Sequence, residues 1–84
     1  KALSLSKALS FGKEMVQDGE RSATKVTFRM RHFLRKYGMR RTDYISVVHP
    51  DTLKPVEVIR GRVLLAIAAH VGKTRLIDNL LVRT

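Results

Sequence analysis

The apolar residues of this chain change period once, close to residue 40, and that change limits the fold more than any other feature. Before it, apolar positions recur every three or four residues, the spacing that lines one side of an α-helix. After it they alternate or run together, as in β-strands. Leu5, Ala8, Leu9, Gly12 and Val16 form one helical stripe and predict a helix over Ala2–Gln17. Gly12 lowers helix propensity but permits close approach by a neighbouring helix. Asp18-Gly19 ends this helix, with Gly19 suited to a left-handed C-terminal cap. Ala23, Val26, Met30, Phe33, Leu34 and Tyr37 form a second stripe and predict a helix from about Ser22 to Tyr37. Ser22 is its N-cap, and Glu20 stands near the positive end of its dipole. Lys25, Arg29, His32 and Lys36 take the opposite face, and Gly38 closes the helix. Two helices joined by so short a turn predict an antiparallel hairpin.

Beyond residue 40 the segment Asp43–His49 is rich in β-branched residues and alternates, which predicts a strand. Pro50-Asp51 opens a turn that runs to Pro55, and Val56–Ile59 reads as a short extended piece broken by Gly61. Val63–Val71 has the Leu and Ala content of a helix. Its nine residues between Gly61 and Gly72 fit a buried strand instead. Gly72-Lys73 is a turn dipeptide, and Thr74–Asn79 alternates again, so these two segments predict a hairpin, with Leu80–Thr84 as a short tail. Helix, helix, strand, strand, strand is an α+β pattern: a two-helix hairpin packed on a small three-stranded antiparallel sheet.

With 84 residues the chain has room for one domain and one modest core, since a chain this short buries only roughly 60–65% of its unfolded surface. No apolar run approaches the length of a bilayer-crossing helix. The absence of cysteine removes disulfides, thiolate metal sites and cysteine nucleophiles. The sequence starts at Lys1 in a helical pattern and reads as a piece of something longer. Lys and Arg number 17 against 7 acids, giving a net charge of +10. The excess is concentrated in residues 20–41, which hold eight bases and one acid. Such a block suits an anionic partner, nucleic acid among them, although charge speaks to field and solubility before role.

Few constellations carry chemistry. Gly72-Lys73-Thr74 ends like a phosphate-binding loop, but the glycine that motif needs five residues earlier is Ile67, and a strand-like segment follows where a helix should start. A hairpin turn explains it better. His32, His49 and His70 fall in three different elements without a second ligand at metal spacing, and His49 and Asp51 straddle Pro50. Asp43, Asp51, Glu57 and Asp78 are scattered, which gives no acid–base pair. Asp78-Asn79 suits a strand end or a local side-chain bond to backbone. A Gly-x-Ser-x-Gly elbow is absent. Tyr37 and Tyr44 flank Arg40-Arg41, but packing accounts for Phe28, Phe33 and Tyr37.

Four stretches together resemble one family. They are Ala2–Ser10 with Gly12, Asp43–Pro55, Leu64–Ala69, and Gly72-Lys73-Thr74-Arg75-Leu76-Ile77-Asp78-Asn79, and in order and spacing they cover nearly the whole chain. They resemble the C-terminal domain of the pantothenate synthetases, the pantoate–β-alanine ligases. The resemblance implies that residues 1–84 are a C-terminal lid over a nucleotide-binding N-terminal domain. It implies an enzyme, cytoplasmic, that condenses pantoate with β-alanine through a pantoyl adenylate, releasing AMP and pyrophosphate. ATP and Mg serve the whole enzyme and none is expected in this stretch. The family's phosphate-binding histidines and its Ser-Ser-Arg-Asn-type motif lie upstream of Lys1. No catalytic, cofactor-binding or metal position therefore maps onto this chain, and the piece alone is expected to be inactive. The partners implied are the chain's own N-terminal domain and the three substrates; no membrane is implied. Surface bared without that domain is a candidate for self-association as a homodimer. Arg75, Lys73 and the Arg40-Arg41 pair, by sign and placement, are the candidates to face the cleft. The alternative is a small basic nucleic-acid-binding module using residues 21–41, which would show a steep salt dependence.

Overall fold

The computed structural model describes residues 2–84, with side chains from Ser4 onward. Lys1, and the side chains of Ala2 and Leu3 at the start of the family-like helical stretch, lie outside the described residues. Helix α1 spans Ala2–Gln17 and α2 spans Ala23–Lys36. Strands β1 (Thr42–Val48), β2 (Arg62–Val71) and β3 (Thr74–Arg83) form an antiparallel sheet in the order β1-β2-β3. The α+β class and the three-stranded sheet are those the sequence predicts.

Local chemistry explains the breaks. At the end of α1, Gly19 takes φ of 112°, and backbone bonds from Gly19 to Val16 and from Glu20 to Met15 satisfy the last carbonyls. Arg21 adds a guanidinium bond of 2.7 Å to the Val16 carbonyl. Ser22 is the N-cap of α2, its hydroxyl accepting from the Lys25 amide. Arg35 and Lys36 occupy the last turn of α2, where cations meet the negative end of the dipole.

The helix stripes cover one face of the sheet. Leu5, Ala8, Leu9 and Val16 from α1, and Ala23, Val26, Met30 and Leu34 from α2, are all buried. They pack on Ile45 and Val47 of β1, Val63, Leu65, Ile67 and Ala69 of β2, and Val82 of β3. α1 lies over β2 and β3, and α2 lies over β1. Gly12 lets α1 come close to both α2 and the sheet: a Cβ there would sit 2.7 Å from Met30 Sδ and 3.0 Å from Leu65 Cδ1.

Two expectations are corrected. β3 does not stop at Asn79. It runs on to Arg83, because Leu80 pairs with Leu65 and Val82 with Val63, which buries Val82. Tyr37 is not buried with the α2 stripe. It is the C-cap beyond the helix end, half exposed, with its ring tilted on Phe33 and Lys7 Nζ 5.9 Å over it. The segment Val56–Ile59 stays outside the three strands, as the sequence reading has it; isolated bridges of Pro55 to Val48 and Val58 to Ser22 tie it in, with Ile59 buried as its anchor. β1 also lies one residue earlier than predicted.

Candidate functional site

The second face of the sheet has no helix on it. Because side chains alternate along each strand, the partners of the covered residues point the other way. Tyr44, Ser46 and Val48 of β1, Leu64 and Ala66 of β2, and Ile77 and Asn79 of β3 line a shallow depression of about 410 Å³ together with Leu53 and Pro55. Most of that lining is apolar. Leu53 is 62% exposed, Ile77 59% and Leu81 45%. Large apolar side chains gathered on one solvent-facing surface are the mark of a surface that meets a partner.

Leu53 adds a backbone argument. It has φ of 60°, the one non-glycine residue with positive φ among the described residues. The left-handed region costs an L-residue about 1–2 kcal/mol. The turn enforces it: the Leu53 amide bonds to the His49 carbonyl at 2.8 Å, and the His49 amide to the Lys54 carbonyl at 2.9 Å. His49 Nδ1 also accepts the amides of Asp51 and Thr52, so this histidine is satisfied within its turn. Strain that holds an apolar side chain out into solvent, at the edge of an apolar face, is characteristic of a functional surface.

The face has an ionic group at each end. At one end, β1 and β2 change register between Thr42, paired with Ala69, and Tyr44, paired with Ala68, so Asp43 is the extra residue of a β-bulge. From that bulge its carboxylate reaches across β2. Oδ2 accepts from Arg75 Nε on β3 at 2.9 Å and lies 3.2 Å from His70 Nε2 on β2. His70 and Arg75 are themselves register partners. The bond from Arg75 holds the Asp43 carboxyl below its usual value. Loss of water around the group works in the opposite direction, and His70 adds to the lowering. At the other end, Arg62 Nη2 makes a looser contact of 3.4 Å with Asp51.

The remaining sequence candidates fall elsewhere. Gly72, with φ of 59°, and Lys73 form the β2–β3 hairpin turn, and Thr74 starts β3, so no phosphate-cradling loop opens a helix there. Lys73 is exposed on that turn, close in sequence to Arg75. Arg40 lines a separate depression of about 420 Å³ with Arg35. Arg41 is exposed, and its carbonyl accepts the His70 amide. Within the basic block Arg31 is bound to Thr42 at 2.9 Å, and the aromatic rings stack on one another, Phe11 on Phe33 at 5.3 Å. Asp78 bonds the Asn79 amide at 2.8 Å without ending the strand. Among the described residues no three His, Asp or Glu side chains converge as a metal site would require. Nor is any described helix long and apolar enough to cross a membrane. The Asp43–His70–Arg75 group is invisible in one dimension, because its members are brought together only by strand pairing.

A small α+β domain whose sheet is covered on one side and ionic at both ends of the other is therefore the class that fold and site define. Comparison with known proteins makes it particular. The family model described as pantoate-beta-alanine ligase matches residues 1–81. The pantothenate synthetase of Moorella thermoacetica is 49% identical over 78 residues, covering 93% of this chain and 28% of that protein. That of Thermosipho melanesiensis is 43% identical over 81 residues, covering 96% and 29%. The crystal structure of pantothenate synthetase from Thermus thermophilus superposes with a TM-score of 0.82 at 31% identity, over 92% of this chain and 28% of that one. The chain belongs to the pantoate–β-alanine ligase family. It spans less than a third of the length of the relatives it matches.

Proposed function

We propose that this chain is the C-terminal lid domain of a cytoplasmic ligase that joins pantoate to β-alanine, using ATP by way of a pantoyl adenylate. The observation that carries the reading is the uncovered sheet face. β2 is apolar on both sides, as a strand buried on both sides would be, yet the helices cover one side only. In this reading the rest of the ligase, which the longer relatives possess, is the second cover. An acyl adenylate is lost to water, so a lid that closes an apolar face over the cleft protects it until the amine attacks. In this reading Tyr44, Leu53, Ile77 and Leu81 exclude water, and the charged groups at the two ends set the register of closure. The chain itself carries no adenylating residues and is inactive alone.

The test compares the full-length parent enzyme with the same enzyme truncated before Lys1. The truncated enzyme should lose pantothenate formation while any adenylate it makes is hydrolysed to pantoate and AMP. Addition of residues 1–84 in trans should restore part of the coupling. A truncated enzyme with undiminished pantothenate synthesis would contradict the lid role.

A further inference from the structure

Several arginines make side-chain bonds in this fold, and they do not make them alike. Arg21 uses Nη1 on the Val16 carbonyl, Arg31 uses Nη1 on Thr42 Oγ1, and Arg62 uses Nη2 on Asp51. Each engages the terminal fork of its guanidinium in holding the fold. Arg75 is bound through Nε alone, and among the described residues neither of its terminal nitrogens has a hydrogen-bond partner. A guanidinium anchored at Nε keeps its end-on pair of parallel N–H groups, the edge that matches two oxygens of a phosphate or a carboxylate.

We propose that Arg75 is an oxyanion-binding residue of the open sheet face, presented end-on by Asp43 acting as a positioning residue. Asp43 suits that task because its backbone is fixed in the bulge and His70 braces the same carboxylate oxygen at 3.2 Å. The anchoring bond is 2.9 Å, and the Arg75 side chain remains about half exposed. Lys73, on the adjoining hairpin turn, adds positive field at the same end. The Asp43 charge offsets part of that field, so the site recognises geometry as much as charge. The shared chemistry is an oxyanion. Which one it meets rests on the lid reading: a phosphate group of the nucleotide or its pyrophosphate product, or the carboxylate of a substrate.

The experiment follows the Nε–Hε resonance of Arg75 in the 84-residue chain by NMR at constant ionic strength. Inorganic pyrophosphate is titrated in one arm and pantoate in the other. A saturable shift in one arm identifies the source. Arg75→Gln should abolish it, with the amide spectrum showing that the fold is kept. Asp43→Asn should weaken binding about ten-fold, the scale of a charge-assisted bond, and Asp43→Glu should restore part of it. Tighter binding by Asp43→Asn would show the carboxylate to be a competitor of the anion and would overturn its positioning role. No saturable shift in either arm would overturn the site itself. In the full-length ligase, Arg75→Gln should raise the KM of the matching substrate about ten-fold and change kcat much less. Binding in the isolated chain with no KM effect in the whole enzyme would support the site and count against the lid's orientation.

Discussion

The two faces of the sheet are made from the same strands and have different fates. On one, Val63, Leu65, Ile67 and Ala69 are sealed under two helices whose buried stripes pack against them. On the other, Ile77 and Leu81 stand in solvent beside Tyr44 and a strained Leu53. Burial of apolar area explains the first face. On the second face large apolar side chains stay in water, the arrangement that the lid reading explains by a further surface. The contrast separates residues that hold the fold from residues that the lid reading assigns to the whole enzyme.

The largest effect should come from the covered face. Leu65→Ala removes a fully buried side chain under Gly12 and should destabilise the chain by about 3 kcal/mol in chemical denaturation. Leu81→Ala, one strand over on the open face, should cost less than about 1 kcal/mol. Equal losses at both positions would erase the distinction between the faces.

A second effect should have the opposite sign. Leu53→Gly relieves the positive φ and should stabilise this chain by up to about 1 kcal/mol, read as a rise in denaturation midpoint. On the lid reading the same change in the full-length enzyme removes an apolar contact and should slow pantothenate synthesis. A loss of stability in the isolated chain would mean that Leu53 serves the fold.

The smallest effect concerns the ionic end. The folded Asp43 carboxyl titrates below the unfolded value, so it contributes stability above that unfolded value. The contribution disappears as pH falls through the lowered folded value. Acid unfolding of Asp43→Asn should lack that limb and match the parent at the acid extreme. Identical stability–pH profiles for the variant and the parent would show that the Arg75 bond adds nothing to the fold.

What can be read from the sequence is local. Helix stripes, the Ser22 cap and the Gly19 and Gly72 turns are each decided within a few residues, and they stand, apart from Tyr37 at the end of the second stripe. The end of β3 is not legible, because Leu80 to Val82 becomes a strand only against Leu65 and Val63. Tyr37 follows the helical spacing but falls one position past the last helical residue, where φ of −96° and ψ of 16° turn its ring outward. The ionic group is hidden most completely. It depends on a bulge that lets a β1 residue reach across β2 to β3, and no spacing within the chain encodes such a register shift. The expected absence of catalytic positions rests on the resemblance and not on any pattern of the residues.

Whether a further surface covers the open face decides between a lid and a free-standing domain. Hydroxyl-radical footprinting of Tyr44, Leu53, Ile77 and Leu81, in the 84-residue chain and in the full-length ligase, measures this directly. A lid requires strong modification of all four in the chain and protection of all four in the whole enzyme, deepened when ATP and pantoate are present, while Phe28 on the helix layer is modified equally in both. Equal modification of the four in both proteins would contradict it.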